Sequence, residues 1–223
     1  MSDEAQQAFQ AGRTRFLGLD LAVQPGVLVP RRETELLART AIDRLAGVPA
    51  PRVVDLCCGA GNLACAIASH LPAATVWAAD LSAEAVALTR SNALALGLSS
   101  RVIAHAGDLL APLADLVARA GPLHAIVCNP PYISTGRLAE RTDLLDEPRE
   151  AFDGGPYGLT IHQRVMREGL PLLGPSGLML FEFGVGQGRQ LELLFNRLRA
   201  FRSVELVADE AGEPRVAIAT TIA

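Results

Sequence analysis

The chain has 223 residues, enough for one large domain or two small ones, and half of them are apolar, so a sizeable core can form. The formal net charge of −4, with 20 basic residues that are all arginine, argues against a protein built for non-specific contact with nucleic acid. The first residues lack a basic-then-apolar signal pattern, and no apolar run is long enough to span a bilayer, so we expect a cytoplasmic protein without membrane contact. The cysteines lack metal-ligand spacing, which favours reduced thiols and no bound metal.

The first 50 residues predict a lead-in, a hairpin and a helix. Residues 1–13 are the lead-in, and two short strands within residues 14–29 form a β-hairpin that turns at residues 24–26. Apolar residues at helical spacing from Leu36 to Leu45 predict a helix whose start is capped or charged by Glu33 or Thr34. We expect residues 14–223 to form a single domain, in which 14–48 hold the hairpin and this helix and 52–220 form the core.

From residue 52 onwards, strands and helices alternate regularly. Apolar strands are predicted at residues 52–56, 75–79, 101–106 and 123–128. This alternation is typical of a parallel sheet covered on both faces, which binds its ligands beyond the carboxyl ends of the strands. The second half predicts a charged loop at 133–148, a helix at 160–173, a strand at 177–183, a helix at 188–198 and a last hairpin of strands at 203–208 and 215–220.

A glycine loop, residues 57–61, follows the first of these strands. Gly59 and Gly61, with Asp80 about twenty residues further on, fit a dinucleotide-binding fingerprint. An NAD-dependent oxidoreductase is therefore one interpretation. Asp55 argues against it, because a carboxylate at the end of the strand would oppose a pyrophosphate nearby.

S-adenosylmethionine removes this conflict, because it has no phosphate and carries a positive amino group and a sulfonium. Asp55 can attract its positive end, and the glycines let the backbone approach it closely. Asp80 can accept hydrogen bonds from both ribose hydroxyls, while Asp108 and Leu109 would flank the adenine. The predicted cofactor-binding residues are Asp55, Cys57, Cys58, Gly59, Ala60, Gly61, Asp80, Asp108, Leu109 and Asn129.

The acceptor motif, residues 129–132, follows the fourth strand of the alternating region. Each of its two prolines fixes φ at about −65° and donates no hydrogen bond, and the residue before a proline is held extended. The Asn129 side-chain oxygen and the Pro130 carbonyl can then accept hydrogen bonds from a flat NH2 group, with Tyr132 stacked on its plane. Catalysis would rest on orientation and electrostatics without a strong general base. A strand-terminating turn is the alternative interpretation. The predicted catalytic residues are Asn129, Pro130, Pro131 and Tyr132.

These motifs resemble those of the HemK/PrmC family, the protein-(glutamine-N5) methyltransferases that modify peptide chain release factors, over roughly residues 14–220. The Asn-Pro-Pro-Tyr motif alone is shared with adenine-N6 and guanine-N2 methyltransferases, so a nucleic-acid amino methyltransferase is the alternative. Two stretches are more specific to the glutamine enzymes. They are Pro30-Arg31-x-x-Thr34-Glu35, and Glu147-Pro148-Arg149-Glu150-Ala151 running into Asp153-Gly154-Gly155-x-x-Gly158-Leu159.

The resemblance implies an α/β, Rossmann-like class I methyltransferase fold, with a seven-stranded, mostly parallel sheet, an antiparallel last strand and a preceding β-hairpin. It implies S-adenosyl-L-methionine as cofactor and a protein acceptor, either a release factor or another glutamine-bearing protein, rather than a nucleic acid. Family members usually carry an N-terminal helical docking domain, which we expect this chain to lack, and we expect a monomer. The implied substrate-binding residues are Pro30, Arg31, Thr34, Glu35, Asn129 and Tyr132.

Overall fold

The computed structural model describes residues 3–139 and 147–222, which form three layers with a mixed β-sheet in the middle. The central part of the predicted charged loop, residues 140–146, lies outside the described residues. Within the described ranges, no helix is both long enough and apolar enough to cross a membrane.

The lead-in is a helix that packs against the rest of the chain. α1 (Asp3–Ala11) buries Ala5 and Ala8 in a small cluster with Val23 and Val29. These small side chains pack against residues that follow the hairpin. The division of the chain into a lead-in and a single domain of residues 14–223 stays a prediction.

The predicted hairpin is present, but its turn lies earlier than expected. β1 (Arg13–Phe16) and β2 (Leu19–Ala22) pair antiparallel. Leu17 and Gly18 between them have φ of 46° and 81°, and two successive residues with positive φ are what the tight type I′ turn requires. The prediction that the hairpin turns at residues 24–26 is therefore wrong, since those residues lie beyond β2.

The central sheet has seven strands and carries the crevice predicted from the sequence. Its strands are β3 (Arg52–Leu56), β4 (Thr75–Asp80), β5 (Val102–Ala106), β6 (Leu123–Cys128), β7 (Leu173–Glu182), β8 (Phe201–Ala208) and β9 (Pro214–Thr221). Their order is β5-β4-β3-β6-β7-β9-β8, and the last strand, β9, runs antiparallel to both of its neighbours. Because β3 lies between β4 and β6, the strand order reverses there, which opens a crevice beyond the carboxyl ends.

Helices cover both faces of this sheet. The helices after the hairpin are α2 (Glu35–Leu45), α3 (Asn62–His70), α4 (Ala83–Ala95), α5 (Ala114–Ala120), α6 (Thr135–Ala139), α7 (Thr160–Gly169) and α8 (Gly188–Leu198). The first three pack on one face, and α5, α7 and α8 pack on the other. Ser82 caps α4 by accepting from the Ala85 N–H at 3.1 Å, as its type predicts. The short helix α6 lies inside the predicted charged loop.

Each central strand supplies both cores, because successive side chains point to opposite faces. Val53 and Val127 lie in the cluster under α2 to α4, whereas Val54 and Ile126 lie in the opposite cluster, and all four are fully buried. Burying a side chain of this size stabilises the fold by about 1.5–3 kcal/mol. Burial on both faces explains the continuous apolar runs in the sequence and leaves the carboxyl ends as the place for polar residues.

Candidate active site

The glycine loop joins β3 to α3 along a left-handed path. Cys57, Gly59 and Gly61 have φ of 58°, 54° and 79°. A Cβ added at Gly59 would meet no atom within 4 Å, so the backbone there borders open space. A Cβ added at Gly61 would lie 2.7 Å from the Thr89 side chain of α4. Gly61 is therefore required for the packing of α4, whereas Gly59 leaves room for a ligand beside the backbone.

Two polar side chains of α4 hold the glycine loop, and the sequence analysis did not identify them. The Thr89 hydroxyl donates to the Gly59 carbonyl at 2.9 Å. The Asn92 amide donates to the Ala60 carbonyl at 2.9 Å, and it also donates to the Ala22 carbonyl and accepts from the Ala22 N–H, at 3.1 and 2.8 Å. The sequence did contain a signal for this role, because the two residues are polar, lie three positions apart and share an otherwise apolar helix face.

Asp55 is a fully buried carboxyl group at the end of β3. Its Oδ2 accepts a hydrogen bond from the Ala64 N–H of α3 at 3.0 Å, while Oδ1 has no partner in the described part of the chain. Burial raises the pKa of Asp55 to about 8; the hydrogen bond from Ala64 opposes this rise, and the charge of Asp80 adds to it. A positive group beside Oδ1 would favour the ionised form, and S-adenosylmethionine carries such a group.

Asp80 lies at the end of β4, as predicted, and it also contacts the glycine loop. Its Oδ2 accepts from the Gly59 N–H at 2.9 Å, and its Oδ1 accepts from the Ser82 N–H at 3.0 Å. Burial raises the pKa of Asp80, and these backbone hydrogen bonds oppose the rise. Each carboxylate oxygen has a second lone pair, so both can still accept from a ribose hydroxyl. Asp55, Gly59 and Asp80 together fit a cofactor with positive charge, a diol and no phosphate.

Asp108 and Leu109 follow β5 at the same edge of the sheet. The exposed Asp108 carboxylate receives two hydrogen bonds from the Arg164 guanidinium of α7, at 3.0 and 2.9 Å. Leu109 is buried, with φ of 47°, in the cluster that contains Trp77. Their contact with an adenine stays a prediction.

Asn129 begins the acceptor motif with its side-chain amide held at one end. Its Nδ2 donates to the Thr34 hydroxyl oxygen at 3.1 Å. Among the described residues, none donates to Asn129 Oδ1, so this oxygen remains available as an acceptor. The prediction that Thr34 caps α2 is wrong, because its side chain makes no cap hydrogen bond and contacts Asn129 instead. The 95 residues between the two positions conceal this contact in the sequence.

Tyr132 ends the acceptor motif and is held at both its ring and its backbone. The phenol donates to Glu182 Oε1 at 3.3 Å and accepts from Arg215 at 3.5 Å. Burial and the nearby Glu182 carboxyl raise the pKa of Tyr132, so the phenol stays neutral. The Tyr132 carbonyl accepts from Gln187 Nε2 at 2.9 Å, and Gln187 Oε1 accepts from the Gly184 N–H at 2.8 Å.

Gly154 and Gly158 let a second loop run directly against the acceptor motif. A Cβ at Gly154 would lie 2.7 Å from the Pro131 carbonyl oxygen, and a Cβ at Gly158 would lie 2.2 Å from the Tyr132 carbonyl oxygen. The Gly154 N–H donates to the Ile133 carbonyl at 2.8 Å. These glycines of the second family-specific stretch are therefore required by a close approach of two backbones.

A buried ion pair joins the two family-specific stretches. The Arg31 guanidinium contacts Glu147 Oε2, and the Val29 N–H donates to Glu147 Oε1 at 3.1 Å. The Glu147 side chain is 1% exposed and that of Arg31 is 17% exposed. Removing one partner of a buried pair costs about 3–5 kcal/mol. The pair therefore fixes residues 30–35 beside the loop that begins at Glu147.

A cavity of about 1050 Å³ lies beside the acceptor motif. Four predicted site residues line it, namely Arg31, Asn129, Pro130 and Tyr132. The sequence analysis missed other lining residues, among them Leu28, Glu33, Arg137, Phe152, Tyr157, Val185, Gln187 and Arg215. They come from separate segments that meet only in the folded chain, so no single stretch of sequence signalled them.

Other predicted substrate residues lie behind this cavity. Thr34 is buried and acts on Asn129, while Pro30 is half-buried beside Arg31 and does not line the cavity. The Glu35 carboxylate accepts from the Leu17 N–H at 2.9 Å and pairs with Arg39 at 3.1 Å. These contacts of Glu35 connect α2 to the hairpin turn, and its contact with a substrate stays a prediction.

A seven-stranded sheet with this strand order and a crevice at its reversal point is the fold of class I S-adenosylmethionine-dependent methyltransferases. The family described as "Methyltransferase small domain" matches residues 31–149, more than half of the chain. The ribosomal protein L11 methylase from Lactobacillus delbrueckii subsp. bulgaricus shares the fold, with a TM-score of 0.58, 20% identity, and coverage of 89% of this chain and 82% of that one. The dinucleotide-dependent oxidoreductase interpretation is thereby set aside.

Closer relatives define the family. The release factor glutamine methyltransferase of Moorella thermoacetica is 37% identical over 212 residues, which cover 95% of this chain and 73% of that protein. The corresponding protein of Gloeobacter violaceus is 35% identical over 209 residues, 93% of this chain and 71% of that protein. The solved protein-(glutamine-N5) methyltransferase (release factor-specific) from Alicyclobacillus acidocaldarius is 28% identical, with a TM-score of 0.56 and coverage of 91% and 100%. The chain belongs to the release factor glutamine methyltransferase (HemK/PrmC) family, as its motifs predicted.

Proposed function

We propose that this protein transfers a methyl group from S-adenosylmethionine to the side-chain amide nitrogen of a glutamine, in the Gly-Gly-Gln loop of a peptide chain release factor. The observation that carries the proposal is the state of the Asn129 amide. Its NH2 is engaged by Thr34 and its oxygen has no donor among the described residues. An acceptor oxygen held in this way beside a large cavity suits a substrate NH2 group.

The acceptor motif would act by orienting a weak nucleophile. An amide nitrogen reacts poorly because its lone pair is delocalised. Asn129 Oδ1 and the Pro130 carbonyl would each accept a hydrogen bond from one N–H of the substrate amide. These bonds would favour positive charge on the nitrogen as the new bond forms. Tyr132, which is fixed by Glu182 and Gln187, would stack on the amide plane. When bound, S-adenosylmethionine would supply the methyl group from its sulfonium, with a neutral thioether as the leaving group, and the amide nitrogen would lose one proton after transfer.

The cavity beside the acceptor motif can receive an extended loop of a protein. The cavity of about 1050 Å³ is open and is lined by residues from both family-specific stretches. Glycines before the target glutamine would let the acceptor backbone enter without side-chain clashes. We expect the protein to act as a monomer in the cytoplasm.

A transfer assay with labelled S-adenosylmethionine distinguishes the acceptors. The protein is incubated in parallel with intact release factor, with release factor whose loop glutamine is replaced by leucine, and with tRNA and DNA. Label should appear only in the intact release factor, and mass spectrometry should place the methyl group on the loop glutamine. Label in tRNA or DNA without label in release factor would support a nucleic-acid amino methyltransferase and refute the proposal.

A further inference from the structure

Glu182 is a buried carboxyl group directly beside the acceptor motif. It is the last residue of β7, and the register of β6 with β7 pairs Cys128 with Phe181, so Glu182 lies next to Asn129. Its exposed fraction is 1%. A charged residue in an otherwise apolar central strand is costly unless its contacts compensate.

Glu182 contacts the aromatic side chain of the acceptor motif. Its Oε1 accepts from the Tyr132 phenol at 3.3 Å, while its buried Oε2 has no hydrogen-bond partner among the described residues. The phenol also accepts from Arg215 at 3.5 Å. Glu182 and Arg215 therefore hold the phenol between them.

We propose that Glu182 is a positioning residue for methyl transfer, which as a carboxylate orients the Tyr132 ring of the acceptor motif. This inference rests on the proposed function for its kinetic part and on the contact between Glu182 and Tyr132 for its structural part. As a carboxylate, Glu182 accepts a charge-assisted hydrogen bond from the phenol, which is stronger than a neutral one. Protonation removes this charge, so the Tyr132 ring is held less firmly.

The ionisation of Glu182 places this change in an accessible pH range. Burial raises its pKa to about 7; the hydrogen bond from Tyr132 and the charge of Arg215 lower it, and the charge of Glu33 raises it. His162 packs against the same strand and contacts the backbone carbonyl of Glu182 at 2.9 Å. Burial lowers the pKa of His162 to about 4, so this ring stays neutral above that pH. The carboxylate form, and hence transfer, is favoured as pH rises through about 7.

Spectroscopy tests the structural part without any acceptor. The chain contains two tyrosines, so in protein labelled with 13C at the tyrosine ζ carbon, Tyr157→Phe assigns the signal of Tyr132. That signal should shift with a midpoint near pH 7 in the parent protein and should not shift in this range in Glu182→Gln. Absence of the titration in the parent overturns the inference, whatever the acceptor proves to be.

Kinetics tests the consequence. Glu182→Gln keeps the side-chain size but replaces one acceptor oxygen with a donor, so kcat should fall about tenfold, with unchanged affinity for S-adenosylmethionine. The parent should lose kcat as pH falls below about 7, and the variant should lack this dependence. Thr221→Val, which removes a hydrogen bond to Gly174 at the amino end of β7, is the control and should keep the parental pH profile. If Glu182→Gln keeps the kcat and the pH profile of the parent protein, the inference is overturned. If the parent protein is inactive on release factor but its Tyr132 signal still titrates, only the proposed substrate is refuted.

Discussion

Gly158→Ala should slow methyl transfer about a hundredfold while leaving the affinity for S-adenosylmethionine unchanged. A Cβ at this position would lie 2.2 Å from the Tyr132 carbonyl oxygen and 2.5 Å from Gln187 Nε2. Ordinary van der Waals contact begins at 3.4 Å, so the loop and the acceptor motif must separate by about 1.2 Å. A misplacement of about 1 Å at a reacting group costs about a hundredfold in rate, and the clash involves backbone that cannot rotate away.

Gly212→Ala provides the matched control. Gly212 has φ of 85°, close to the 72° of Gly158, but a Cβ there would meet no atom within 4 Å. Both substitutions place alanine in the left-handed region, at about 1–2 kcal/mol each, so both should lower the free energy of unfolding. Initial rates of both variants are measured at saturating cofactor and release factor, and calorimetry gives their affinity for the cofactor. The difference between the two variants separates the effect of the clash from that of the shared backbone strain. A parental kcat in Gly158→Ala, or an equal loss of kcat in Gly212→Ala, would refute the reasoning.

Three further substitutions test the site. Asn129→Ala should lower kcat about a hundredfold or more, because the oxygen that orients the substrate NH2 is lost. Circular dichroism should show an intact fold. Near-parental rates would identify Asn129 as a turn residue only. Thr34→Val should lower kcat about tenfold through loss of one hydrogen bond to Asn129; if Thr221→Val, which also loses one buried hydrogen bond, slows transfer as much, the effect is general destabilisation. Asp55→Asn should stabilise the cofactor-free protein more at high pH than at low pH. The fold raises the pKa of Asp55 from 3.8 to about 8, so the stability that the carboxyl contributes is fully present below 3.8 and is lost as pH rises through about 8. Urea unfolding on both sides of this window checks it, and a pH-independent effect would contradict it.

The main sheet was predictable because its strands are buried on both faces. Val53, Val54, Ile126 and Val127 form continuous apolar runs whose ends are marked by polar residues or glycine, so strand positions and the binding edge follow from the sequence alone. The turn at residues 17–18 was not predictable in this way. Its first position is a leucine, which seldom adopts positive φ, and the stronger turn signal lay a few residues later.

Individual site residues were predicted from the sequence, but the side-chain contacts that connect them were not. Asn129 and Tyr132 were identified from the local stiffness of their motif, which needs no tertiary information. Glu182 was missed because its role depends on the Tyr132 side chain, 50 residues away in the sequence. Thr34 was assigned a capping role by its position before α2, whereas the fold uses its hydroxyl for Asn129. Contacts between distant segments set these roles, and periodicity carries no information about them.

The side-chain amide of Asn92 links the hairpin to the glycine loop. The same side chain pairs with both backbone groups of Ala22 and with the carbonyl of Ala60. Local opening of the hairpin would release a side chain that also holds the loop, so a ligand that binds only the closed loop should lower the equilibrium population of the open hairpin. The exchange rate of the Ala22 amide hydrogen with solvent should therefore depend on whether the cofactor site is occupied, although Ala22 itself contributes no group to that site.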